Sequence, residues 1–335
     1  MQKSLKNLID LEYLRGKKNL LAFSAGVDST ALCFMLLQAN IDFDFAMVDY
    51  QVRAQSKDEV EYAKCLAKKY DKKLFLHQAK KIDNDFENQA RIVRYDFFKS
   101  IIEKYGYENL ILAHHLNDRL EWFLMQFIKG SGLNTILGFE KIEERDTYKI
   151  VRPLFEISRD EIFDFVKNYQ YFEDLSNQEM HFLRNKIRKN YANSLIKENK
   201  EGIVRSFQYL FEEKKALYLQ QEVLQIKHIA YFKRRDILND LYMVDRILKT
   251  LGYVWSKEQR QEVKKQDFSI QLASKFIIDS NEQYIFVAPI KYTNIVMSKE
   301  FKNQARKLLL PQKIRKEFFG LIQDCQIDLE KFTFC

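Results

Sequence analysis

Between residues 20 and 170, short apolar runs alternate with helix-patterned stretches, all but the first of them ten residues or more. Runs at 20–23, 43–49, 74–77, 110–113 and 148–151 read as strands, and 31–37, 56–70, 85–105, 118–129 and 158–169 read as helices. Parallel neighbours need a crossover connection, and a helix supplies it, so this alternation implies βαβ units. The expected fold is α/β, a parallel five-stranded sheet with helices on both faces. Ligands on such sheets sit beyond the carboxyl ends of the strands. The loop at 24–29, Asp49, His114 and His115 therefore share one rim. Ser56 with Glu59 and Ser158 with Glu161 have capping-box spacing and mark two helix starts. Residues 1–18 read as a short leading helix through Leu5, Leu8, Ile9, Leu11 and Leu14.

Past about residue 175 the alternation stops. Residues 180–232 are charged and read as helices bridging two domains. A helix at 237–251 precedes two β-like segments, 276–278 and 284–287. Asp279-Ser280-Asn281-Glu282 between them is turn chemistry, which predicts a hairpin. Residues 301–322 are basic and read as partly helical. The expected division is a domain at 1–178, a helical linker at 179–232 and a small α+β domain at 233–335.

The run 20–23 enters a small-residue turn, Ser24-Ala25-Gly26-Val27-Asp28-Ser29-Thr30, before the first helix. A helix N-terminus presents unpaired N–H groups and the positive end of a dipole, and so favours anions. Ser24, Ser29 and Thr30 add hydroxyls at the same mouth, which suits phosphate. No Gly-Lys-Ser/Thr follows and G-x-G-x-x-G is absent, so neither a Walker A loop nor a dinucleotide fingerprint is present. Without more, a plain βα turn reads equally well.

Further on, His114 and His115 end a strand, and Asp118 and Glu121 share one face at the start of the next helix. The two carboxylates either complement the helix dipole or hold an amino-bearing substrate on the rim. Adjacent His side chains at a strand end diverge, which argues against zinc. The four cysteines, Cys33, Cys65, Cys325 and Cys335, are scattered and form no C-x-x-C, so neither a disulfide scaffold nor a Cys-ligated metal is indicated. No apolar run approaches the ~20 residues that span a bilayer, and no signal-like apolar region follows the start, so a cytoplasmic protein without membrane attachment is expected. A formal net charge of +8 suits a polyanionic partner such as nucleic acid.

Ser24-Ala25-Gly26-Val27-Asp28-Ser29 resembles the S-G-G-x-D-S signature of the PP-loop ATP pyrophosphatases, with Ala25 at a Gly position. If that position needs φ > 0, Ala is strained there; if not, it costs little. The ordered blocks that follow resemble the tRNA(Ile)-lysidine synthetase family. Val48-Asp49-Tyr50-Gln51-Val52-Arg53 resembles V-D-H-x-L-R, with Tyr50 for His. Ala90-Arg91-Ile92-Val93-Arg94-Tyr95 resembles A-R-x-x-R-Y. Residues 114–122 resemble H-H-x-x-D-x-x-E-T, with Trp122 for Thr. Residues 129–133, 152–154, 173–177 and 184–188 resemble R-G-S-G-L, R-P-L, E-D-x-S-N and R-N-x-I-R.

The resemblance implies a PP-loop, adenine nucleotide alpha hydrolase-like domain at 1–178 and a tRNA-binding domain at 233–335. It implies ATP and Mg²⁺ as cofactors, with free L-lysine and the tRNA(Ile) of anticodon CAU as partners; a homodimer stays open. Ser24, Ala25, Gly26, Val27, Asp28, Ser29 and Asp49 would bind ATP. Asp28 and Asp118 would be catalytic, Asp28 also holding Mg²⁺, and Asp118 and Glu121 would grip lysine. Arg91, Arg94, Arg184 and Arg188 would contact phosphate or RNA. The competing readings are a PP-loop tRNA-thiolating enzyme, disfavoured by the lack of paired cysteines, and an inactive RNA-binding relative.

Overall fold

The computed structural model describes residues 11–52, 55–82, 85–173, 182–219 and 221–328. The chain forms two compact units, Met1–Phe211 and Glu212–Cys335. That division falls inside the stretch read as a linker.

The first unit is built on β1 (Asn19–Ala22), β2 (Asp44–Asp49), β3 (Leu74–Gln78), β4 (Asn109–Ile111), β5 (Ile142–Glu144) and β6 (Lys149–Val151). Their order across the sheet is β3-β2-β1-β4-β6-β5. The five strands read from the sequence are mutually parallel; β5 adds an antiparallel edge against β6. Three residues, two of them acidic, carry no strand pattern of their own, which is why β5 is silent in the sequence. The helices are α1 (Val27–Gln38), α2 (Ser56–Lys69), α3 (Phe86–Tyr105), α4 (Leu116–Ile128), α5 (Leu133–Ile136) and α6 (Arg159–Val166).

Successive strand residues face opposite sides of the sheet. Leu21, Phe45, Ile111 and Val151 join the core formed with α1, α2 and α6. Leu20, Ala46, Leu110 and Ile150 join Phe98 and Ile102 of α3 on the other side. The chain starts at the sheet centre, moves outward through β2 to β3, and returns to lay β4 on the other flank of β1. The β1/β4 boundary is therefore the topological switch point, where the carboxyl ends leave a crevice.

The helix starts differ from one another. Ser158 and Glu161 form the expected capping box at α6: Ser158 Oγ accepts from the Glu161 N–H and Glu161 Oε2 accepts from the Ser158 N–H at 2.8 Å. Ser56 does not cap α2, because the helix already includes it; Gln55 precedes it and its Nε2 donates to Glu59 at 3.1 Å. Of the expected leading helix, residues 1–10 lie outside the described residues, and Glu12–Leu14 forms a single 3₁₀ turn.

After α6 come α7 (Leu183–Ile187), a π-helical turn (Arg188–Ala192) and the long α8 (Asn193–Leu217), kinked at Asn199. Helix does not continue to residue 232. β7 (Leu224–Ile226) and β8 (Ile229–Lys233) begin the second unit's sheet, correcting the helical reading of that stretch. The sheet continues with β9 (Ile270–Leu272), β10 (Phe276–Ser280) and β11 (Tyr284–Pro289), in the order β7-β8-β11-β10-β9, all antiparallel. The expected β10–β11 hairpin is present; Asn281 Oδ1 closes its turn by accepting the N–H groups of Gln283 and Tyr284. Phe232, Ile278, Ile285 and Val287 pack with α9 (Ile237–Thr250) and α10 (Lys257–Lys265). Ile277, Phe286 and Ala288 pack on the other face with α11 (Lys299–Lys307) and α12 (Arg315–Gln323).

Candidate active site

The loop after β1 and the loop after β4 meet at the switch point. In the first, Ala25 is buried with φ +58°, in the left-handed region, so the strained alternative holds. Its carbonyl accepts from the Phe172 N–H at 3.0 Å. Gly26 caps α1 with φ −75°, and its carbonyl accepts from the Thr30 N–H at 2.9 Å. Ser24 and Ser29 are tied, Oγ to Oγ, at 3.2 Å, and Ser29 Oγ donates to the Gly26 carbonyl at 3.1 Å. Val27 and Asp28 open the helix, so the anion-favouring end of α1 lies at the rim.

The second loop carries the charges. The His115 N–H donates to Asp118 Oδ2 at 3.0 Å, fixing the start of α4. The His115 ring is buried, its Nε2 3.6 Å from both Asp28 Oδ1 and Asp118 Oδ2. Burial opposes a charged ring, but the carboxylates of Asp118 and Asp28 outweigh it and hold its pKa above the usual histidine value. Burial likewise opposes the Asp118 anion, but His115 and Arg184 keep its carboxyl well below the usual range.

His114 behaves oppositely. Burial first, then Arg152, Arg184 and Arg94, push its pKa down to about 3 against the pull of Asp118. Arg152 Nε donates to His114 Nδ1 at 3.1 Å. A guanidinium has no acceptor, so Nδ1 is bare and the ring hydrogen sits on Nε2. Arg152 is itself held by the Glu140 carbonyl at 2.7 Å and Glu143 at 2.8 Å.

One turn further, Glu121 is fully buried. Arg188 grips it with two bonds, Nε to Oε1 at 2.6 Å and Nη2 to Oε2 at 3.0 Å. Arg184 bridges both acids, Nε to Glu121 Oε2 at 2.8 Å and Nη2 to Asp118 Oδ1 at 2.5 Å. Arg184 and Arg188 face α4 together because they are four apart across α7 and the π turn. Asp28, Asp118 and Glu121 thus gather around Arg184, Arg188 and the His115 ring, whose charged form the carboxylates favour.

The remaining expected residues lie around this cluster. Asp49 is buried at the end of β2, and its Oδ1 accepts the Gln51 N–H at 2.9 Å. Tyr50 donates its hydroxyl to the Ala90 carbonyl of α3 at 2.9 Å. Arg94 acts electrostatically on both Tyr50 and His114, whereas Arg91 lies over the Tyr95 ring at 4.8 Å. Arg53 and residues 174–177 of the motif blocks lie outside the described residues. Sequence reasoning placed His114 and His115 on the rim without a task, and passed over Arg152. The signal for His115 was its position between a strand end and an acid three residues on; Arg152 gave none beyond its motif block.

A family model described as a PP-loop domain matches residues 1–195. The tRNA(Ile)-lysidine synthase of Helicobacter pylori (strain ATCC 700392 / 26695) is 48% identical over 310 residues, covering 92% of this chain and 92% of its own. That of Campylobacter jejuni subsp. jejuni serotype O:2 is 40% identical over 331 residues, covering 97% and 98%. Among solved structures, the U34-tRNA thiolase NcsA from Methanococcus maripaludis is similar with a TM-score of 0.52 at 18% identity, over 62% of this chain and 77% of that one, a likeness of fold alone.

The switch-point loop, the parallel sheet and the family match define the class: this is a PP-loop protein, of a kind that binds ATP. Within that class, the chain belongs to the tRNA(Ile)-lysidine synthase family.

Proposed function

We propose that this chain joins the ε-amine of free L-lysine to C2 of the cytidine at the first anticodon position of the tRNA(Ile) with anticodon CAU. In the first half-reaction the cytidine O2 attacks the α-phosphorus of ATP, and the P–O bond to pyrophosphate breaks. In the second, lysine Nε attacks C2, the C2–O bond breaks, AMP leaves and the amine gives up its proton. The observation that carries this reading is the His115 ring 3.6 Å from both Asp28 and Asp118. Asp28 of the loop after β1 and Asp118 of α4 lie one imidazole apart, which supports two reactions on one cytidine if Asp28 serves the phosphates and Asp118 the amine.

The loop from Ser24 to Ser29 and the start of α1 would receive the phosphates, with Asp49 at the nucleoside side. Asp28 Oδ1 is buried and makes no hydrogen bond, with His115 Nε2 3.6 Å away, so Asp28 is the residue that would hold a divalent cation. Charge neutralisation of the phosphates is the chemistry that Mg²⁺ would supply there. Asp118 and Glu121 would take the lysine amino groups by charge-assisted hydrogen bonds, exchanging with Arg184. Arg184 and Arg188, released by that exchange, would meet the lysine carboxylate or RNA phosphate, and Arg91 and Arg94 would meet phosphate from α3. We assign the reaction to the cytoplasm; no described helix is long and apolar enough to cross a membrane.

The test is transfer of labelled lysine to isoleucine tRNA transcripts with anticodon CAU or UAU. Label on CAU alone supports the reading. tRNA-dependent pyrophosphate release without lysine transfer would replace it with another acceptor, and neither product would leave an RNA-binding relative.

A further inference from the structure

One exposed indole, a turn along α4 from Asp118, has no part in the reaction above. Trp122 stands four residues after Asp118 on α4, on the same strip of the helix, and is 37% exposed. Its Nε1–H donates to the Thr135 carbonyl at 2.9 Å. A Cβ on Gly138 would fall 2.6 Å from Trp122 Cδ1 and 2.7 Å from Nε1, so the indole lies directly against the glycine backbone, itself at φ +65°. Only glycine gives both that space and that conformation at no cost.

The next residue ties this platform to the active rim. The Phe139 ring lies 4.9 Å from the His114 ring, centre to centre. Arg152, which binds His114 Nδ1, lies over Phe139 at 4.9 Å. The segment 135–139 is thus pinned by Trp122 at one end and by His114 at the other, and Trp122 stands one helical turn from Asp118. Its polar atom is satisfied and its orientation fixed, yet part of its apolar surface faces water.

We propose that the exposed surface of Trp122 is the stacking platform for a pyrimidine base drawn out of a single-stranded RNA loop. The proposal deepens the lysine-transfer reading and rests on it for the identity of the base, the cytosine to be modified. A base modified at C2 must leave its neighbours' stack, and an aromatic side chain replaces that stack without reading sequence. A rigid indole does so with little ordering cost. The pattern this chain resembles has Thr at this position, which offers no π-face.

The test uses W122L, which keeps apolar bulk without a π-face, and W122F, which keeps a π-face without the Nε1–H bond. In lysine transfer, W122L raises the KM for tRNA by about ten-fold or more with the KM values for ATP and lysine unchanged, and W122F stays within about three-fold of wild type. Trp122 and Trp255 are the two tryptophans, and Trp255 is buried in the second unit's core. Indole fluorescence of the wild-type protein is therefore followed while titrating a CAU anticodon stem–loop, then the same loop lacking its first anticodon base. Quenching by the intact loop, lost with the abasic loop and lost in W122F, supports stacking. Equal quenching by both loops, no quenching at saturation, or W122L matching W122F overturns it. Wild-type protein that quenches without transferring lysine would sink the proposed reaction and leave the platform standing; transfer without quenching would sink the platform alone.

Discussion

Ala25 shows how one residue can be both strained and tolerated. An L-residue in the left-handed region costs about 1–2 kcal/mol, and Ala25 sits there at φ +58°. Its methyl is fully buried, though, and burial of one carbon returns about 0.8 kcal/mol. Glycine would relieve the strain, lose that burial and add roughly 0.5–1 kcal/mol of unfolded-state entropy. A25G is therefore expected within about 1 kcal/mol of wild type in urea unfolding, with pyrophosphate release intact. A25V adds a β-branched side chain to a filled site in a conformation it avoids, and should lose about 3 kcal/mol. His114 gives the second residue-scale prediction. Its folded pKa of about 3 lies below the unfolded value near 6.5. The unfolded chain therefore binds the extra proton, and the stability His114 permits is complete above about pH 6.5 and lost as pH falls toward about 3. His115, whose folded pKa is raised, contributes a slope of the opposite sign as the unfolded chain loses its proton around pH 6.5, and that contribution is common to wild type and H114Q. The groups facing His114 are Asp118, Arg152, Arg184 and Arg94. In H114Q, stability measured between about pH 4.5 and 6 should depend on pH less steeply, by about 1.4 kcal/mol per unit. An unchanged slope would mean that His114 is not buried neutral.

At the scale of elements, α4 and α7 are joined by charge rather than by apolar packing alone. Glu121 has no exposure, and the Arg188 side chain keeps 13% of its own. Removing one partner leaves the other buried and uncompensated. E121Q should lose about 3 kcal/mol, and in lysine transfer should raise the KM for lysine more than that for ATP. The double variant E121Q/R188M should be more stable than the sum of the single losses predicts, because the second change removes the stranded charge. Equal KM effects would separate Glu121 from lysine, and additive losses would deny the coupling. These elements were unequally legible. The five parallel strands could be read because each is a buried apolar run between helices with their own period. Asp118 and Glu121 could be placed on one face by spacing alone. Their pairing with Arg184 and Arg188, more than sixty residues away, could not, since spacing reports neighbours along one helix and this contact joins two. β7 and β9 were missed for the reason β5 was: three-residue strands acquire their pattern from the sheet they join. β8 carries an apolar run of its own, Ile229 to Phe232, and was absorbed into the helical reading of the charged stretch around it. The capping box worked at Ser158 and failed at Ser56, where the helix extends back through the residue meant to cap it.

Over the whole molecule, two kinds of electrostatics are kept apart. The excess of positive charge, 55 Lys and Arg against 47 Asp and Glu, lies on side chains that are mostly in water. The carboxylates assigned to lysine are buried and balanced by their own cations. Charges in water are screened over about 8–10 Å at physiological salt, and their contribution to RNA binding is counterion release, which falls with the logarithm of salt concentration. A buried cluster is screened far less. The two substrates should therefore respond differently to salt. Raising KCl from about 50 to 200 mM should weaken tRNA binding at least ten-fold, along a straight line of log K against log salt. At saturating tRNA the same change should move the KM for lysine by less than about two-fold. A lysine KM that follows the tRNA slope would mean that free lysine is met by surface charge rather than by Asp118 and Glu121. A tRNA affinity indifferent to salt would mean that the basic excess has no part in holding the RNA, and that recognition rests on bases and shape.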